Sequence, residues 1–303
     1  MDDQWPGYRE LLNAHASSRH DLNPNRTRDN LDLLRFNLRS LERYVPWANR
    51  VFLATCRPQV PAWLNRTAVT VVHHDEFMPA EVLPTFNSFA IVSQLQRLPG
   101  LSRRFVYVED DRLFGAPIAI GDLFAPDGRP LVYLKWRHTM RPERRDDTRL
   151  SPWNRALACA NHLLNSRYGA KHRSTVSHAP LPVDAESWQA MIATWPDAFA
   201  RTVASRFRDT GNVAPEHLYP HFLLEERRGV LVGVPTTFRR SAYHPLNNVT
   251  LLQRASFARL RAQQPKFVCL NDNYGDRPSA AAVAIARRFL ETWLPTSSRF
   301  EAQ

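Results

Sequence analysis

Amphipathic helical stretches alternate with short β-branched and aromatic runs along the first third of this chain, and that order restricts the available folds more than any other feature. The stretch RDNLDLLRFNLRSLERYV, residues 28–45, repeats Leu31, Leu34, Leu38 and Leu41 at helical spacing beneath a charged face, and Pro46 stops it. NRVFLAT (49–55) and AVTVVHH (68–74) follow as strands, separated by the proline-containing CRPQVPAWLN. NSFAIVSQLQRL (87–98) reads as a helix closed by Pro99-Gly100, and RRFVYVE (103–109) as a third strand. This helix, strand, helix, strand order predicts an α/β fold, Rossmann-like, with a mostly parallel sheet flanked by helices.

Further along, residues from about 121 to 150 become irregular and charged, as in an insertion or lid. Helical periodicity returns in SPWNRALACANHLLNSRYG (151–169) and DAESWQAMIATWPDAFART (184–202). KFVCLNDN (266–273) reads as a late strand, and a closing helix from about Pro278 carries Ala282, Ile285, Phe289 and Trp293 on one stripe. At 303 residues and 44% hydrophobic content the chain can bury a large core, and one domain over 1–303 is expected.

Two of these strands end in acid- or amide-rich loops, VYVEDD and VCLNDN. In open α/β sheets ligands bind beyond the carboxyl ends of strands, so both loops are candidates to line one crevice. Like charges repel at Asp110 and Asp111, which reads either as a strand-terminal turn or as a place for a divalent metal, free or carried on a pyrophosphate. Asp272, between Asn271 and Asn273, carries the same pair of readings. His178 lies in the proline-bounded VSHAPLPVD, where a near-neutral side chain suits proton transfer. Asn87 or Ser88 caps the helix that starts there, and Arg28 with Asp29 reads as the start of the first helix.

The formal net charge is +11, and only Lys135, Lys171 and Lys266 are lysines among the 40 basic residues. Arginine's planar fork suits phosphate and carboxylate, so an anionic substrate or an acidic membrane surface is admitted as partner. Basic tracts such as RHTMRPERRDDTR are interleaved with acids and carry no nucleic-acid-binding signature, which argues against nucleic acid. Cys56, Cys159 and Cys269 are distant from one another and odd in number, as expected of reduced thiols. No apolar run approaches the roughly 18 residues that span a bilayer, and the start lacks a secretory pattern, so a cytoplasmic protein is expected, with peripheral contact at the inner face of the cell membrane allowed.

Taken together, the stretches RTRDNLDLLRFNLRSLERYVPWANRVFLAT, VPAWLN, HDEF, LPTFNSFAI and LPGLSRRFVYVEDDRLFG resemble the second conserved region of the Stealth family of sugar-phosphate transferases. That family includes bacterial capsule polymerases and the animal enzyme that builds the mannose-6-phosphate signal. VSHAPLPVD and ASRFRDTGN resemble its third region and FVCLNDN its fourth. The family's first region has no counterpart in the chain, and Val92 stands where the family usually has glutamate.

The resemblance implies a glycosyltransferase-A-like core and transfer of a hexose or N-acetylhexosamine 1-phosphate from a nucleotide sugar to a hydroxyl of an acceptor glycan or lipid-linked glycan. A nucleoside monophosphate would be released, with Mg²⁺ or Mn²⁺ as cofactor. By motif position it implies catalytic roles for Asp111, His178 and Arg208, metal contacts from Asp110 and Asp272, and substrate contacts from Arg28, Asp29, Asn87, Asn271 and Asn273. The rival readings are a metal-dependent glycosyltransferase, which would release the nucleoside diphosphate, and a catalytically weakened relative that binds a glycan or a partner.

Overall fold

The computed structural model describes residues 5–15, 31–275 and 277–302. Arg28 and Asp29 lie outside the described residues. After α1 (Tyr8–His15), the predicted first helix appears as α2 (Leu33–Tyr44). Asp32 precedes it in a left-handed conformation, φ 57°, and its Phe36 and Leu38 are buried. The two expected strands follow as β1 (Phe52–Thr55) and β2 (Thr70–His73), paired in parallel with Phe52 opposite Thr70. Next come α3 (Ser88–Ser93), β3 (Arg104–Tyr107) and β4 (Arg112–Phe114).

The segment read as an irregular lid instead contains β5 (Leu131–His138), whose Val132, Tyr133 and Leu134 are buried. Charged and bulky outward positions, Lys135 to His138, hide its apolar half from a pattern search. The stretch 184–202 divides into α5 (Ala185–Thr194) and α6 (Pro196–Ala204). The break falls where Pro196, lacking an N–H, opens the second helix. The remaining elements are α4 (Pro152–Tyr168), β6 (Ser174–Val176), β7 (Leu181–Asp184), α7 (Pro215–Glu225), β8 (Val230–Val232), α8 (Val234–Arg240), β9 (Ser241–Leu246), α9 (Thr250–Gln263), β10 (Phe267–Asp272) and α10 (Ala280–Trp293).

The fold is mixed α/β, and the expected mostly parallel sheet is not what the described strands form. They make four small ladders: β1-β2, β4-β10-β9, β3-β7 and β6-β5-β8. β1/β2, β9/β10 and β5/β8 are parallel, whereas β4/β10, β3/β7 and β5/β6 are antiparallel. Sequence order encodes each strand's own period but not the partner it finds, and here antiparallel partners come from far along the chain.

One apolar cluster joins β2, α3, β5, α4, α5 and α7 around Trp188, Met191, Leu164 and Tyr219. A second packs α9 and α10 onto β9 and β10, with the Phe257 and Phe289 rings stacked 4.1 Å apart. A third, containing Phe114, Tyr133, Ala179 and Phe267, lies where β4, β5 and β10 meet. Burying each large side chain contributes about 2 kcal/mol, so these clusters hold the strand ends that carry the polar residues discussed next. The three cysteines are free thiols, as expected.

Candidate active site

The acidic loop after β3 is a tight turn fixed from outside. Arg112 donates its N–H to the Glu109 carbonyl at 3.0 Å, and the buried Asn37 of α2 donates its amide to the Glu109 and Arg112 carbonyls. Within the turn Asp110 is exposed, while Asp111 turns inward onto β10, whose Leu270 N–H it receives at its carbonyl, 2.9 Å.

Cys269 and Asn271 share one face of β10 and approach Asp111 Oδ2 at 3.3 and 3.5 Å through Sγ and Nδ2. Asp111 Oδ1 is buried with no hydrogen-bond partner. Burial, reinforced by the Glu109 charge, raises the Asp111 carboxyl to about 6. Arg112 is buried beside it, donating Nη1 to the Ala179 carbonyl at 2.8 Å and pairing Nη2 with Glu109 Oε2 at 2.6 Å. Burial opposes its charge, but Glu109 and Asp111 more than offset that and hold it cationic.

The network continues to His178. Tyr243 of β9 donates its hydroxyl to Asn271 Oδ1 at 3.2 Å, and the His178 ring stacks on Tyr243 with centroids 4.5 Å apart. Lys135 Nζ sits 5.2 Å from the centroid of the same tyrosine ring. Burial first, then Arg112 and Lys135, depress His178 to about 3, so its imidazole is neutral.

Arg208 arrives on the loop between α6 and α7. It donates Nη2 to Ser88 Oγ at 2.5 Å and lies over Phe89, 4.6 Å from the ring centroid, with Trp153 at 5.8 Å. Its loop is clamped by Asn212, whose Oδ1 accepts from Asp209 N–H and Asn87 Nδ2, both at 2.9 Å.

Asn87, expected to touch substrate, is fully buried. Its Oδ1 accepts the Phe89 N–H, and its Nδ2 donates to the Thr202 and Ser205 carbonyls and to Asn212. Its polar atoms are engaged by the scaffold that holds the Arg208 loop. Asp272 is displaced from the group by strand alternation. It lies on the opposite face of β10 from Asn271, and its Oδ1 accepts the Tyr274 N–H at 3.0 Å, an Asx-type turn. Asn273 is exposed, with its N–H bonded to the Leu246 carbonyl.

Among the described residues no three His, Cys, Asp or Glu side chains gather into a metal-holding group. Of Asp110, Asp111 and Asp272, the first is exposed and the third turns away, leaving only Asp111 Oδ1 buried and unpartnered at the network. These residues do not by themselves make a three-ligand, protein-held Mg²⁺ or Mn²⁺ site. Mg²⁺ is commonly held largely by substrate phosphates and water, and no step below depends on it.

Three members of the network, Arg112, Lys135 and Tyr243, and one buried acid that feels its charges, Glu216, were not singled out by sequence for the site. Glu216 is 5% exposed, both its carboxyl oxygens lack hydrogen-bond partners, and burial, then Glu109, raises it to about 7. The sequence hint was an acid inside PEHLYPHFL, a stretch whose every residue is buried.

The fold and the site define an α/β protein that collects buried carboxyls, a neutral histidine and arginine or lysine side chains into one linked polar network, a set of groups suited to a charged ligand. Stealth protein conserved region 2 matches residues 26–132, conserved region 3 matches 177–225 and conserved region 4 matches 258–303. The chain belongs to the Stealth family. It is 30% identical over 311 residues to an exopolysaccharide phosphotransferase of Streptomyces coelicolor, covering 99% of this chain and 51% of that protein. It is 32% identical over 279 residues to an exopolysaccharide phosphotransferase of Nocardia farcinica, covering 89% and 53%. It is 30% identical over 284 residues to the exopolysaccharide phosphotransferase CpsY of Mycobacterium tuberculosis, covering 89% and 50%. The chain thus spans about half the length of these relatives. Among the described residues no helix is long and apolar enough to cross a membrane.

Proposed function

We propose that the chain is a phosphotransferase that moves a hexose or N-acetylhexosamine 1-phosphate from a nucleotide sugar to a hydroxyl of an acceptor glycan, or lipid-linked glycan, in surface polysaccharide synthesis. Support comes from the names of its relatives and, above all, from one observation: the buried, unpartnered Asp111 Oδ1 beside Arg112 and linked through Asn271 and Tyr243 to His178.

In this reading the acceptor hydroxyl gives its proton to Asp111 as its oxygen bonds to phosphorus. The phosphoanhydride bond breaks, and the electron pair leaves with the nucleoside monophosphate. A carboxyl at about 6 is poised as a base near neutral pH, whereas an imidazole at about 3 is a weak one. His178 therefore serves as a neutral N–H donor to a phosphoryl oxygen. Arg208 grips the phosphoryl group with its guanidinium fork and Lys135 adds a point charge, spreading the negative charge of the transition state. A bound diphosphate also offsets the Arg112 and Lys135 charges that depress His178, so its basicity rises on binding.

The test is to incubate the full chain with a panel of nucleotide sugars and acceptor glycans and to identify the nucleotide released. Nucleoside monophosphate is expected. Arg208→Lys keeps the charge but loses the fork, and should lower the rate about 100-fold while the protein stays folded. Release of nucleoside diphosphate would replace this reading with sugar transfer alone.

A further inference from the structure

The three most buried acids among the described residues are Asp122, Asp184 and Glu216. Two are fully provided for. Asp122 pairs with Arg240 and Lys266 and accepts the Ala119 N–H, while Asp184 accepts from Ser187 N–H and hydroxyl and from Arg103. Glu216 has no such partner at either oxygen; its own backbone N–H lies beside the carboxyl without hydrogen-bond geometry. Apart from Asp111 Oδ1, an orphaned buried carboxyl is not the habit of the described residues, and it is costly to maintain.

Position makes Glu216 more specific. The charges that act on it are Glu109 and Arg112 of the network described above and Arg208 of the loop that leads into α7, and Glu216 in turn acts on Tyr107 of β3. Arg208 lies in the loop between α6 and α7 and Glu216 in the first turn of α7, with Asn212 between them bonding Ser205, Asp209 and Asn87. Thr210 in the same loop is held by Arg155 at 2.6 Å. A first-turn acid in a solvated helix needs no further account, since the helix dipole favours it. One buried without a hydrogen-bond partner, within the field of Arg112 and Arg208, does. Two cations already serve this spot and Glu109 repels a third carboxylate's charge, so the complementary ligand group is a neutral hydrogen-bond donor.

We infer that Glu216 is a substrate-contacting residue that accepts a hydrogen bond from a sugar hydroxyl of the bound nucleotide sugar, so that the clamped loop grips the donor at its phosphate through Arg208 and the start of α7 grips it at its sugar through Glu216. The inference rests on the phosphotransferase reading for the identity of the ligand. Near neutral pH a carboxyl at about 7 exists in both forms, and each can hydrogen-bond a hydroxyl.

Glu216→Met and Glu216→Gln in the full chain test it, with three measurements: the melting temperature without ligand, KM and Kd for the nucleotide sugar, and the inhibition constant or Kd of the matching nucleoside diphosphate, which lacks the sugar. Glu216→Met should melt no lower than the parent and lose about 10- to 100-fold in affinity for the nucleotide sugar, while the nucleoside diphosphate constant moves less than about twofold. Glu216→Gln, whose carbonyl still accepts, should fall between. A lower melting temperature for Glu216→Met would assign the residue to the scaffold and overturn the inference. So would parallel losses for both ligands, or no loss for either. If the parent chain binds nucleotide sugar but releases no nucleoside monophosphate, the phosphotransferase reading fails alone and the Kd comparison decides Glu216. If it binds no nucleotide sugar, both fall.

Discussion

Replacing Asp111 by Asn should make the protein more stable and inactive at once. The folded carboxyl titrates at about 6 against an ordinary 3.8, because burial and the Glu109 charge disfavour its ionised form. Between these values the native state holds a proton that the unfolded chain has released, so stability falls as pH rises through this window. Above pH 6 the ionised side chain costs the native state roughly 2 pH units' worth, about 3 kcal/mol. Asparagine cannot ionise and does not carry that cost. At pH 8 the Asp111→Asn protein should therefore gain up to about 3 kcal/mol, about 5 °C in melting temperature at this chain length. Near pH 4, where the native carboxyl is already neutral, the gain should vanish. Thermal unfolding followed by circular dichroism from pH 4 to 8, on parent and variant side by side, reads the difference directly. Nucleoside monophosphate release should drop by at least about 100-fold in the variant, and the parent's kcat/KM should fall off below pH 6. An offset of constant size at every pH, or a variant that is less stable at pH 8, would refute the account of Asp111 as a desolvated acid held for chemistry.

Two further outcomes follow from neighbouring contacts. Arg112→Met removes the buried partner of Glu109 and the donor to the Ala179 carbonyl, and should cost about 3–5 kcal/mol in denaturant unfolding. The same variant should raise the His178 pKa measured by NMR, because Arg112 is the largest charge depressing it after burial; an unmoved His178 would contradict the proximity argued above. Asn87→Ala strands the Thr202 and Ser205 carbonyls, and should lower stability by about 2–4 kcal/mol. The loss should appear in urea unfolding with KM for the nucleotide sugar held near the parent value at low temperature, and a selective KM effect would restore Asn87 to substrate contact.

The tight turn at VEDD shows why the acid pair was visible in sequence but its division of labour was not. Two acids after an apolar strand mark a place where charge is concentrated, whatever fold surrounds it. That Asp110 faces water and Asp111 faces β10 follows from the turn's pinning by Asn37, 72 residues from Glu109 along the chain. His178 and Arg208 were reached through a resemblance in motif order, and the structure joins His178 to Asp111 by Tyr243 and Asn271, residues whose own sequence contexts are unremarkable strands. Asp272 matched the same motif but sits one strand position from Asn271, enough to turn it to the opposite face. Glu216 gave almost no signal, because a glutamate after proline reads as an ordinary helix start until its burial is known.

Taken alone, the amino-acid order located α2, β1, β2, α3, β3, α4, β10 and α10, the loops that concentrate charge, and the excess of arginine over acid, since these depend on spacing and composition within a few residues. Tertiary structure decided which carboxyls lose their water and so shift toward neutrality, which strand pairs with which, and which of the matched residues meet. Asp111 is set by Cys269 and Asn271 from 158 and 160 residues away. Desolvation and charge coupling act through space, at distances a local sequence pattern does not encode.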